Sequence, residues 1–299
     1  MSSPPLSYSY DTNGFVIIPS DTPLSLVPPT QLIPFRDACE RVITKTRTGE
    51  WTRRRTVGKQ FPPYDNDNPD SWGVQHLMHP DLGEALFAEW YCSERVLSVV
   101  KALLGCEETD LEMELFNLLI NPLSHDFALR WHRDDVRETA SEEEEVDALG
   151  KWHTGVQWNT ALYRDECLFV VPGSHIVPRT PEQRALSSTL DPPTNPLDMP
   201  GAIQVILQPG DTVFYNSNIL HCATYSSQAK RATLHACMGD AVRGGAVRAR
   251  NILQHDLKWM QDEAFRETLP NDTARGTLDR LKRLQSEQGG AQVVYSLAG

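Results

Sequence analysis

The 299-residue sequence has no apolar run long enough to cross a bilayer, which takes about 20 such residues. It has no positive surplus either. Its 28 lysines and arginines face 40 acidic residues, for a net charge of −12. That balance argues against non-specific binding to nucleic acid or to an anionic membrane, and a highly anionic substrate would need a local basic patch. The six cysteines, Cys39, Cys92, Cys106, Cys167, Cys222 and Cys237, are scattered without a CxxC pair. This excludes a disulfide framework or a zinc ribbon and leaves reduced, mostly buried thiols, as in an intracellular protein. Met1-Ser-Ser-Pro-Pro has no basic stretch leading into an apolar one, so no secretory leader is expected. Ser296-Leu297-Ala298-Gly299 is not a peroxisomal address, and the cytoplasm is the expected location.

What is present is soluble and globular in composition, 40% hydrophobic and 23% charged. The spacing predicts a helix over Gln31 to Thr46 with Gly49 as its stop, and one or two helices over Asp81 to Leu104 capped by Gly105. Leu111 to Ile120 reads as the first strand of a β core. Val171-Pro172-Gly173 and Pro209-Gly210-Asp211 are turns between short strands, which suggests an antiparallel barrel or sandwich. The region after Val247 is helical by pattern, with apolar faces at Leu253, Leu257, Met260 and Phe265, then Leu278, Leu281 and Leu284. Those faces cover the core or form a dimer contact, so monomer and homodimer both stay open.

His132 and Asp134 stand two residues apart in Leu129-Arg130-Trp131-His132-Arg133-Asp134. In a strand they would share one face. His221 lies 89 positions on (221 − 132). Two imidazoles and one carboxylate on one side of a cation form the facial triad of non-haem iron(II) oxygenases. Arg231, ten residues after His221, opens an alternating run to Met238. Ala232, Leu234, Ala236 and Met238 share one face; Arg231, Thr233, His235 and Cys237 share the other, which would line a cavity. A guanidinium there grips a carboxylate through two parallel hydrogen bonds, and the far end of a 2-oxo diacid fits.

The ordered set of His-x-Asp, Val-Pro-Gly-Ser-His at 171–175, Pro-Gly-Asp at 209–211, Leu220-His221 and Arg231 resembles the phytanoyl-CoA dioxygenase family. The resemblance is strong over residues 110–240 and loose in the N-terminal third. It implies a mainly β fold with flanking helices: a double-stranded β-helix, jelly-roll or cupin-like, covered by N- and C-terminal helices. One domain over 1–299 is expected, with a helical and irregular part to about 110, the barrel over about 111–240, and helices over about 247–288. The resemblance also implies Fe(2+) on His132, Asp134 and His221, 2-oxoglutarate anchored by Arg231, and Gln157 and Asn159 on a strand lining the cosubstrate pocket. At Asp165-Glu166-Cys167-Leu168 the sequence departs from the family's usual Asn-Gly, which bears on the shape of that loop.

The expected activity is hydroxylation of a C–H bond in a small, lipophilic metabolite, with dioxygen as co-reactant and succinate and carbon dioxide released. Desaturation, epimerisation or rearrangement at the same metal, a zinc hydrolase, and a non-catalytic ligand-binding barrel stay open. Thr233, by its parity, and Arg130, which shares the parity of His132 and Asp134, are further candidates for cosubstrate contact. Arg53-Arg54-Arg55 reads as a solvated loop, with contact to an acidic substrate as the alternative. The acidic block Ser141 to Asp147 reads as an exposed loop or a first helical turn without chemistry.

Overall fold

A computed structural model describes residues 6–287 apart from 66, 152, 153 and 254, and omits the side chains of 246, 247, 249–251 and 253. The expectation for Leu253 and the last residue of the expected 247–288 stretch fall outside it.

The strands are β1 (Phe15–Ile18), β2 (Arg54–Thr56), β3 (Ser71–Val74), β4 (Leu111–Ile120), β5 (Phe127–Ala128), β6 (Gly155–Ala161), β7 (Leu168–Val170), β8 (Ile203–Gln204), β9 (Thr212–Tyr215), β10 (His221–Tyr225) and β11 (Ala232–Asp240). The helices are α1 (Leu6–Asn13), α2 (Leu32–Arg47), α3 (Ala85–Tyr91), α4 (Glu94–Leu104), α5 (Glu142–Lys151), α6 (Pro181–Ser187), α7 (Ala241–Leu253), α8 (Glu263–Thr268) and α9 (Asp272–Glu287). A seven-stranded sheet runs β1-β9-β6-β11-β4-β3-β2 and a four-stranded sheet runs β5-β10-β7-β8, with antiparallel pairing throughout. This is the mainly antiparallel, helix-flanked architecture expected. The large sheet reaches beyond the 111–240 core, because β1, β2 and β3 come from the N-terminal part.

The alternation in β11 explains how the core divides. Ala232, Leu234, Ala236 and Met238 join the main hydrophobic cluster with Phe35, Val42, Leu97, Val100, Leu278 and Leu281, from α2, α4 and α9. Each such side chain, fully buried, contributes about 1.5–3 kcal/mol when large. Aromatic rings tie the layers together: Tyr91 stacks on Phe116 at 5.6 Å and on Trp158 at 5.9 Å. The β11–β4 register slips between Ala236 and Met238. The Tyr91 hydroxyl fills the gap, donating to the Cys237 carbonyl at 2.7 Å and accepting from the Glu114 N–H at 2.9 Å. A bulge that would strand two buried backbone groups is thus satisfied by one phenol.

The helix ends follow their signals. The Ser93 hydroxyl accepts from the Val96 N–H, and Gly105 ends α4 at φ 62°. Among the described residues no helix is long and apolar enough to cross a membrane. All six cysteines are free thiols.

Candidate metal centre and cosubstrate pocket

Residues from both sheets line a cavity of about 120 Å³. The expected triad strand is not a regular strand. After β5 the chain makes a single antiparallel bridge, His132 to His221. The next ladder positions are taken differently: the Asp134 N–H donates to the Ser217 carbonyl at 2.9 Å, and the Asp135 N–H to the Asn218 side chain at 3.2 Å. The ladder ends at His132 and Asp134 sits in a bend, yet the bend still brings its carboxylate to the two imidazoles. Asp134 Oδ1 lies 3.4 Å from His132 Nε2 and 3.8 Å from His221 Nε2.

Both imidazoles are oriented alike. Each Nδ1 meets the carbonyl two residues back, Arg130 O at 2.9 Å for His132 and Ile219 O at 2.8 Å for His221. A carbonyl only accepts, so Nδ1 carries the hydrogen and Nε2 keeps its lone pair. Burial, then the neighbouring His132, pulls the His221 pKa down to about 4, which keeps that ring neutral. Burial alone would raise the Asp134 carboxyl; His221, His132 and the Gln157 amide overcome it and hold the group well below the usual carboxylate range. One ligand atom from each of the three residues falls within a 4.8 Å span. Two neutral nitrogens and an anionic oxygen, converging from one side, suit a divalent transition metal with open positions opposite.

The other sequence candidates separate. Gln157 lines the cavity, but its amide is committed to Asp134 Oδ2 at 2.7 Å, so it orients the carboxylate rather than standing free for a cosubstrate. Asn159 also lines the cavity, and its Oδ1 accepts from His235 Nδ1 at 2.8 Å. Arg130 turns away from the position its parity suggested. Its guanidinium reaches Glu138 at 3.4 Å and lies over the Phe61 ring at 5.5 Å. The irregular backbone around 130–134 removes the alternation on which that expectation rested. Phe61, in turn, sets its edge 5.3 Å from the His132 ring.

Arg231 lines the cavity, almost fully buried, with its guanidinium over the Tyr225 ring at 4.5 Å. Its Nε donates to Asp165 Oδ2 at 2.8 Å. The Thr233 hydroxyl donates to the same oxygen, so Thr233 meets Asp165 and not the cavity. Arg231 Nη1 is buried without a hydrogen-bond partner among the described residues. An orphaned cationic donor facing a cavity calls for an anionic oxygen. Burial would raise the Asp165 carboxyl, but Arg231, Thr233 and the Cys167 N–H hold it below its ordinary value. Asp165 was visible in sequence only as the departure from Asn-Gly.

Two more residues escaped the sequence reading, Glu145 and His255, whereas His235 lies on the cavity face expected of it. The acidic block forms the first turn of α5 as expected, but Glu145 in it is fully buried, meeting Arg133 at 2.8 Å, Arg179 at 3.0 Å and Arg184 at 2.6 Å. Arg133 also donates to the Ser174 carbonyl at 2.5 Å and to that of Asn218. One carboxylate therefore fixes the segment between His132 and Asp134 against the Pro-Gly-Ser-His turn. His235 and His255 line the cavity, and burial, then Arg55, lowers each to about 3.

Comparisons with known proteins bear on the fold and the family. AviO1 from Streptomyces viridochromogenes Tue57 superposes with TM-score 0.54 at 16% identity, over 79% of this chain and 93% of that one. EctD from S. alaskensis, solved with 2-oxoglutarate and 5-hydroxyectoine, gives 0.55 at 15% identity, over 79% and 76%. The non-haem α-ketoglutarate-dependent epimerase SnoN from nogalamycin biosynthesis gives 0.52 at 18% identity, over 79% and 82%. Among curated proteins none matches the chain. At these identities the structures speak for the fold. The model of the phytanoyl-CoA dioxygenase (PhyH) family matches residues 10–232, three-quarters of the sequence, and the chain belongs to that family.

Proposed function

We propose that this family member is an Fe(II)- and 2-oxoglutarate-dependent oxygenase that hydroxylates a C–H bond of a small organic metabolite in the cytosol. The balance is one C–H, one dioxygen and one 2-oxoglutarate consumed, and one C–OH, one succinate and one carbon dioxide formed. The observation that carries the reading is convergence: two Nε2 lone pairs and Asp134 Oδ1 meet in a cavity that also holds an unsatisfied Arg231 Nη1.

His132, Asp134 and His221 would hold the iron, and the metal with its oxo acid supplies the oxidising chemistry when bound. The chain's residues position and shield. Gln157 keeps Asp134 Oδ2 occupied so that Oδ1 faces the two imidazoles. Arg231 offers Nη1 to the far carboxylate of the oxo acid while Asp165 holds its other edge. Phe61 beside His132 keeps bulk water off the metal side.

Anaerobic titration of iron(II), then of 2-oxoglutarate, followed by succinate release in air, tests this. Asp134→Ala is expected to lose metal-dependent turnover while keeping its fold; succinate release unchanged in that variant counts against the assignment. Desaturation or epimerisation would use the same ligands, and product analysis separates them. Metal content after anaerobic purification separates an oxygenase from a zinc hydrolase.

A further inference from the structure

Among the described residues three arginines line the cavity: Arg55, Arg231 and Arg248. Two of them have a buried carboxylate of their own. Arg231 has Asp165, and Arg248 grips both oxygens of Glu114, at 2.6 and 2.5 Å. Arg55 forms no ion pair among the described residues, and its Nε is buried without a hydrogen-bond partner. Its neighbours in sequence are accounted for. Arg53 pairs with Asp256 at 3.0 Å, and Arg54 donates to the Thr46 carbonyl at 3.4 Å. Arg55 alone of the three turns into the cavity.

The backbone is shaped to let it. Arg55 sits opposite Gly73 and Thr56 opposite Ser71, so Trp72 is the extra residue of a bulge. The bulge brings the Trp72 ring to the cavity wall, 5.0 Å from the Arg55 guanidinium. Trp72 Nε1 donates to the Thr56 carbonyl at 2.9 Å, which fixes the ring. Gly73 leaves room for the arginine's stem: a Cβ there would lie 3.1 Å from Arg55 Cδ and 3.3 Å from its Cβ and Cγ. Across the sheet, Arg55, Gly73, Leu119 and Thr233 follow in one register row. Arg55 therefore reaches in from the edge strand, three strands from β11, which Arg231 immediately precedes. Leu115, Leu119 and Leu129 line the wall alongside.

We propose that Arg55 binds an oxyanion of the substrate, so that the substrate class is a small organic acid with an apolar body. This rests on the oxygenase reading for the identity of the cavity. It also revises the lipophilic expectation: net charge −12 repels anions at a distance, and a single stacked guanidinium supplies the local exception.

The test is calorimetric, on anaerobic protein with and without iron(II) and 2-oxoglutarate, using benzoate and hexanoate against benzamide and hexanamide. The acids are expected to bind at least tenfold tighter than their amides. Arg55→Gln should abolish that preference while its iron and 2-oxoglutarate titrations match the parent, and Arg55→Lys should keep part of it. Gly73→Ala, which alters no charge, should weaken acid binding by crowding the arginine's stem. An acid preference absent in the parent, or one surviving Arg55→Gln, overturns the proposal. A loss of 2-oxoglutarate affinity in Arg55→Gln also overturns it, since Arg55 would then serve the cosubstrate. Failure of the parent to bind 2-oxoglutarate would instead strike the oxygenase reading, and the Arg55-dependent preference would still be read in the cosubstrate-free titration.

Discussion

His132 and His221, 89 residues apart, exchange both backbone hydrogen bonds, at 2.9 and 3.0 Å, across an isolated bridge. Directly opposed residues of an antiparallel pair project to the same side, and the two rings stand with centroids 4.2 Å apart. Backbone pairing thus sets the spacing of the two nitrogen ligands before any metal arrives. The third ligand is held differently, by a side chain. Asp134 depends on the Gln157 amide for the rotation of its carboxylate.

Gln157→Leu separates these two devices. Partners of metal ligands typically account for about 10–100-fold in metal affinity. The variant is expected to bind iron(II) about 10–100-fold more weakly with little change in melting temperature, because both histidines remain fixed by backbone. Anaerobic calorimetry measures it. An unaltered iron titration would remove Gln157 as the orienting group.

Arg231 and Asp165 form a buried pair, so a single substitution confounds binding with stability. Removing one member of such a pair costs about 3–5 kcal/mol, because the other is left buried and uncompensated. Arg231→Gln is expected to raise the 2-oxoglutarate requirement more than tenfold and also to lower the melting temperature. Adding Asp165→Asn should restore much of the stability without restoring cosubstrate affinity. If the double variant regains 2-oxoglutarate binding, Arg231 is not the anchor.

The sequence showed the triad through the ordered motifs, and Arg231 through its place before the alternating run of β11. It also showed β4 with its observed ends and the buried face of β11, since both are long and strongly patterned. What it could not show was pairing between distant polar groups. Nothing in an acidic run marks Glu145 as the buried member among exposed neighbours, because its burial depends on three arginines from elsewhere in the chain. Parity misplaced Arg130 for a related reason. Only His132 pairs with β10 there; the N–H groups of Arg130 and Asp134 go to the Gln60 side chain and the Ser217 carbonyl, so strict alternation does not run through the segment. In sequence Asp165 reads only as a change of turn, whereas its effect lies on the arginine beside the cavity.

Glu145→Gln tests the hub. Three guanidiniums would lose their shared carboxylate inside the fold. Breaking a buried ionic contact costs about 3–5 kcal/mol, and here Arg133 links the loss to the segment between His132 and Asp134. The expected result is a lower denaturation midpoint together with weaker metal binding. Denaturant unfolding and iron titration read the two effects separately. Glu145→Gln with parental stability would mean that the backbone carbonyls of Ser174 and Asn218 suffice to hold Arg133.

The acid limb of stability should carry a mark from His76. The residue is buried at φ 63°, beside Trp259, at a ring distance of 5.6 Å. Burial first, then the positive field of Arg53 with smaller contributions from His255, His79 and Arg55, lowers its pKa to about 3. The unfolded chain has the ordinary value near 6.5. Between those values the unfolded state binds a proton that the folded state refuses, so stability rises with pH there. Its contribution is complete above pH 6.5 and is lost progressively as the pH falls toward 3, with a slope of at most about 1.4 kcal/mol per pH unit. His235 and His255 add slopes of the same sign. His76→Asn removes one of these contributions while keeping a residue type that tolerates positive φ. Urea midpoints measured from pH 4 to pH 7 should therefore show a shallower fall for His76→Asn than for the parent, and superimposable slopes would mean that His76 becomes protonated without opening the fold.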